Sequence, residues 1–328
     1  MSCIVSERVS LVAPLAKSIV EDYEKRGVDR FIDELYYPGE KEPRRSVALY
    51  FLVMVAMDHR LSRPNKPYEA VIEGERFHGA DLLYRLGKIR YEQDPGFFEP
   101  ESLAKTSVKD VLDWLCVGET CPPDPETRAA LLRDLGVKLI KLFDGRVEDI
   151  IGVDQLRGNA LKPGFIDLLR NFAAYSDPIE KKSFLLAKFL ERRGVIRISD
   201  YWNKRVPVDN HVTRIAIRLG IVDLGDELLR KIARREEFNE AEDVLVRLCV
   251  REAWHRVAVI GGVDDFLLDD VLWSGGRRNC VRGSPTCSNC SRGALCRGSK
   301  CVFRRVCPVG LGVSKPLDEH VFFNTWWY

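Results

Sequence analysis

The chain has 328 residues, 45% hydrophobic and 30% charged, with a formal net charge of +2. That balance excludes a disordered chain, and no apolar run is long enough for a membrane helix. The segment MSCIVSERVSLVAPLAK carries Glu7 and Arg8 inside its apolar stretch and lacks the order of a signal peptide, so a cytoplasmic protein is expected.

The pattern is helical almost throughout. Residues 45–57, RSVALYFLVMVAM, predict an apolar helix buried on most sides. Residues 58–67 and 88–101 read as loop-rich. Residues 125–144 open on Pro125 and space Leu131, Leu132, Leu135, Leu139 and Leu142 at helical intervals. Residues 165–175 and 179–193 form a helical pair split by Ser176-Asp177-Pro178. The stretch VIRIS at 195–199 is the best strand candidate, with little to pair with. Helices follow at 210–219, 225–235, 239–259 and 264–272, and a loop-rich segment begins after 274. The class expected is all-α with short connections, in one large domain or two lobes.

From Arg277 to Lys315 there is no Asp or Glu, while Arg277, Arg278, Arg282 and Arg292 open a run of basic residues. A one-sign segment in a near-neutral chain suggests an anionic partner, most simply nucleic acid. Six of the ten cysteines fall in the same region. Cys280, Cys287, Cys290 and Cys296 make a C-x6-C-x2-C-x5-C pattern, with Gly283, Pro285 and Gly293 supplying reversals. Four thiolates at this spacing suit a [4Fe–4S] cluster or a zinc ion, and disulfides are the third option. Cys301 with Cys307, and Cys116 with Cys121, are candidate disulfides. Cys3 and Cys249 read as small apolar packing residues. The terminal FFNTWWY could stack a base, although an apolar plug is the simpler reading.

In VPVDNHVTR, Asp209 follows an apolar bracket and precedes a helix. Alone it reads as an N-cap, and His211 as a brace for the same helix start. Together, the four-cysteine spacing and this upstream segment resemble the helix-hairpin-helix DNA glycosylases with an endonuclease III or MutY type of cluster loop. The stretch KKSFLLAKFLERRG before VPVD is most similar to archaeal 8-oxoguanine glycosylases. The resemblance implies two helical lobes: residues 1–44 and 201–300 in a lobe bearing a [4Fe–4S] loop, residues 45–200 in a six-helix-barrel-like lobe, and 301–328 as an extension. It implies a monomer that excises a damaged or deaminated base flipped from DNA, with AP-lyase activity.

In this reading Asp209 stabilises the oxocarbenium-like sugar, and a lysine attacks C1′. Lys182 is the preferred nucleophile. It opens a stripe with Leu185, Leu186, Phe189 and Leu190, while Lys181 shares its stripe with Lys188 and Arg192. The alternative is that both are surface lysines. Asp58, His59 and Arg60 fall where the family places residues that fill the gap left by the base, although an exposed turn fits equally. The chain departs from the family at Ser176-Asp177-Pro178, where a glycine-rich hairpin ordinarily holds a phosphate. A nucleic-acid binder without catalysis, or an N-glycosidase for a modified nucleoside or nucleotide, are the other readings.

Overall fold

A computed structural model describes residues 3–63, 65–290 and 293–328. The chain is mostly helical, with two short antiparallel hairpins among the described residues. It divides into two units, Asp29–Asn203 with Thr325–Tyr328, and Met1–Val28 with Lys204–Asn324. These bounds differ from those expected of the sequence. Residues 29–44 group with the helices C-terminal to them, and residues up to 324 belong to a unit rather than to an extension.

The unit of residues 29–203 is built around helix Arg44–Met57. Every residue from Val47 to Met57 is buried, as a helix apolar on all sides requires. Helices Ala80–Gln93, Pro125–Phe143 and Lys181–Arg192 pack on it. Phe51, Tyr84 and Phe31 surround Phe189, with ring centroids 4.4 to 5.9 Å away. Helix 125–143 approaches the short helix Pro100–Leu103 so closely that a Cβ on Gly136 would stand 2.3 Å from the Ala104 nitrogen. Strands Glu69–Ile72 and Glu75–His78 pair through a two-residue turn in which Glu73 and Gly74 both have positive φ. Two expectations fail here. Helix 80–93 continues through much of the loop expected at 88–101, and VIRIS forms no strand. An isolated five-residue run offers its backbone no ladder.

In the second unit, helix Ser6–Arg26 packs along helix Glu240–Gly261, and helix Asn210–Leu219 packs on helix Asp265–Arg278. Val12, Ala13, Ala16, Val250 and Trp254 lie in the core between them. Cys3 is bonded to Cys249, so these two are a cross-link and not merely packing residues. Helix 265–278 runs past residue 274, which places Arg277 and Arg278 on its last turn rather than in a loop.

Candidate functional site

Helix 181–192 starts on an unusual turn. Asp177 accepts hydrogen bonds from the Ile179 N–H through Oδ1 and from the Lys181 N–H through Oδ2, both at 2.9 Å. Glu180 is left-handed, with φ of 62°, and buried. That conformation costs a non-glycine residue about 1–3 kcal/mol and needs neighbours that hold it. Arg157 and Arg170 do so, donating to its carboxylate at 2.6 and 2.5 Å. The Asp177 side chain therefore takes up two of the N–H groups at this helix start.

This turn delivers Lys182 to the interior. Its side chain is 0% exposed, and Nζ donates to the Ala56 carbonyl at 2.6 Å and meets His59 Nδ1 at 3.1 Å. It forms no ion pair among the described residues. Burial, then the cations of Lys181 and Arg128, hold its amine well below the ordinary lysine range, and Asp58 and Asp177 oppose this only in part. Lys181 differs. It is also buried, but its Nζ lies 3.5 Å from the Asp58 carboxylate. Neither is the surface lysine of the alternative reading, and Phe184 and Lys188 on the stripe through Lys181 are buried too.

His59 is held uncharged by burial, with Arg128 and Lys182 adding to the effect. Its Nδ1 faces both the Lys182 amine and the Ala56 carbonyl, the latter at 3.3 Å, while Nε2 is buried with no hydrogen-bond partner among the described residues. His59 is buried beside the lysine. Asp58 pairs with Lys181, and the Arg60 N–H donates to the Tyr328 carbonyl at 3.2 Å. The exposed turn expected for Asp58, His59 and Arg60 is instead tied down by Arg128. That fully buried guanidinium donates to the carbonyls of Met57, His59 and Arg60 at 2.7, 2.8 and 3.1 Å. Burial lowers it to about 10. Tyr328 is buried and Trp326 donates to the Ala173 carbonyl at 2.9 Å, while Phe323 and Trp326 stay exposed, so only the last residue of FFNTWWY is packed away.

Arg128 was not singled out in the sequence, yet a signal was there. It precedes Leu131, Leu132 and Leu135 at i+3, i+4 and i+7. A charge opening an apolar stripe is the same mark that picked out Lys182. Glu180 carried no such mark, because its role lies in a backbone angle.

Asp209 belongs to the other unit. It caps helix 210–219, its Oδ1 accepting from the His211 and Val212 N–H groups at 2.8 and 3.0 Å. Oδ2 has no hydrogen bond among the described residues, and the side chain is half-buried. His211 is the expected brace. Its Nδ1 accepts from Arg214 at 2.9 Å, and burial, with Arg214, keeps the ring below its usual value despite Asp209. Gly276 makes room for this corner; a Cβ there would stand 2.6 Å from His211 Cβ.

The cysteines do not assemble as their spacing suggests. Cys290 is bonded to Cys296, while Cys280, Cys287, Cys301 and Cys307 are free. Cys116 is bonded to Cys121 as expected, but Cys301 is not bonded to Cys307. Among the described residues no group of three or more His, Cys, Asp or Glu is disposed around a metal ion. Of the set Cys280, Cys287, Cys290 and Cys296, two thiols are bonded to each other and two are free.

The basic segment is also less bare than its sequence. Arg282 pairs with Glu319, and Arg297 with Asp22 at 2.8 Å, so acids outside the segment neutralise it in part. Arg277 stacks over Trp273, 4.6 Å from the ring centroid. Arg278 is exposed and has no ion pair among the described residues. Arg292 lies outside the described residues. No helix is long and apolar enough to cross a membrane among the described residues. No family model matches the chain, and no curated protein matches it.

Proposed function

We propose that the protein is an N-glycosylase with lyase activity that acts on a damaged or deaminated base flipped from DNA. The observation that carries this is the state of Lys182: a fully buried amine with no ion pair among the described residues, held well below the ordinary lysine range, its Nζ donating to Ala56 and meeting His59. A lysine attacks carbon only when neutral, and few structural roles leave one in this state.

The Lys182 lone pair forms the bond to C1′ while the C1′–N bond breaks, its electron pair leaving with the base. Asp209, with one oxygen fixed by the helix cap and the other uncommitted, stabilises the positive sugar. The new ammonium gives up a proton, and the departing base gains one. Ring opening, with O4′ gaining a proton, gives a Schiff base. Loss of a C2′ proton then expels the 3′ phosphate with the C3′–O electron pair. The amine is fully covered, so substrate entry has to uncover it. The test is borohydride trapping on oligonucleotides bearing a panel of damaged bases and an abasic site. A covalent adduct lost in Lys182→Ala supports the reading; trapping that survives the substitution removes the lysine from it.

A second reading moves the same bond chemistry to a modified nucleoside or nucleotide. Asp177 favours it, because this carboxylate occupies the helix N-terminus where a DNA phosphate would otherwise be held. Release of free base from nucleosides, with no turnover of any oligonucleotide, would decide for it.

A further inference from the structure

We propose that Arg128 is a positioning residue for Lys182: one guanidinium grips the turn that the amine touches and keeps there a positive charge that no carboxylate neutralises. The role depends on Lys182 being the nucleophile proposed above. Lys182 meets this turn at the Ala56 carbonyl and the His59 ring. Arg128 holds the same turn through the carbonyls of Met57, His59 and Arg60, and its Nε donates to the Pro123 carbonyl at 2.9 Å. The partners of the lysine are thus fixed by the arginine.

Neutral carbonyls alone are an uncommon set of partners for a buried guanidinium. Arg214, Arg218 and Arg247 are buried too, and each pairs with a carboxylate, at 2.5, 3.0 and 3.0 Å. Arg128 has no ion pair among the described residues. The acids near it are committed elsewhere: Asp124 pairs with Arg63 at 2.7 Å, and Asp58 with Lys181 at 3.5 Å. The helix gives the charge no reason either. Arg128 is the fourth residue of helix 125–143, at the end where the helix dipole favours anions. A bare buried cation is what a neighbouring amine needs, because in a low dielectric it opposes protonation of that amine. Arg128 itself, lowered only to about 10, stays charged at neutral pH. The groups that face Lys182 are Arg128 from helix 125–143, Asp58 and His59 after helix 44–57, and Lys181 and Asp177 from its own helix and the turn before it. Arg128 and Lys181 oppose the charge on Lys182, and the two acids favour it. Lys181 is paired, so Arg128 is the cation of this set with no carboxylate bonded to it.

The test follows Lys182 through a pH titration by carbon-13 at the lysine ε position, in the full chain with and without Arg128. Arg128→Met removes grip and charge together. Arg128→citrulline removes the charge, keeps the shape and most of the N–H groups, and decides the matter where Arg128→Met does not fold. In both, the Lys182 titration should move up toward 10.5, by about one pH unit or more, so that its neutral fraction at lower pH drops about tenfold. A guanidinium that acts only as a clamp would lower stability and leave the Lys182 titration where it was. That outcome, or a shift confined to Arg128→Met, overturns the proposal. The measurement needs no DNA, so failure of the oligonucleotide panel leaves it decisive. A Lys182 that titrates with the surface lysines in the unsubstituted protein removes the lysine reading and the role of Arg128 together.

Discussion

Two aspartates bind backbone N–H groups where a helix starts, Asp209 as the N-cap and Asp177 from the turn before it, and they spend their oxygens differently. Asp177 uses Oδ1 for Ile179 and Oδ2 for Lys181, and is buried. Asp209 uses Oδ1 for both His211 and Val212, leaving Oδ2 uncommitted on a half-buried side chain. Asp177 is therefore consumed by the fold, and what it positions is the lysine five residues on. Asp209 is rigid and still has an oxygen for chemistry. A cap and a catalytic acid are not competing descriptions; which oxygens are taken separates them.

Substitutions can break this comparison, and the largest effect is expected at Asp209. Asparagine caps a helix about as well as aspartate, so Asp209→Asn should cost less than about 0.5 kcal/mol of stability. Loss of the anion should lower base release by roughly 10²–10³-fold. Urea melts and single-turnover assays on one preparation check both; a large stability loss with activity kept would reduce Asp209 to a cap. Asp177→Asn should do the reverse. An amide offers one acceptor where two buried N–H groups need one each, so stability should fall by about 1–3 kcal/mol, with the folded fraction keeping its activity. Equal stability in the two variants would erase the distinction.

Lys182 gives a smaller effect with a defined pH dependence. Its amine is held below 10.5 in the folded chain, so the unfolded chain binds the extra proton between the two values. Stability therefore rises with pH through that window. Lys182→Met removes the penalty. Thermal melts should show Tm higher by a few degrees at neutral pH, with the gain shrinking as pH approaches 10.5. A gain independent of pH would mean the amine is not perturbed.

Much of the helical pattern was legible, because the apolar spacing of helices 44–57, 125–143 and 210–219 is strong. Lys182 stood out because a charge opened an apolar stripe. His59 did not, since a helix-end histidine reads as exposed until the buried lysine opposite it is known. The cysteines show a different limit. Spacing tells which thiols can be near one another, but six in one loop allow several partitions, and the backbone bond from Cys301 to Cys287 is invisible in the sequence. The basic run was over-read for a similar reason: Glu319 and Asp22, which pair with Arg282 and Arg297, lie outside it.

The central claim is that burial holds the Lys182 amine well below the ordinary lysine range. Carbon-13 labelling at the lysine ε position, with Lys182 assigned by its loss in Lys182→Met, follows that amine directly through a pH titration. The expected result is one lysine titrating well below the 10.5 of its type and apart from the rest. A Lys182 signal that titrates with the surface lysines, charged at neutral pH, contradicts it.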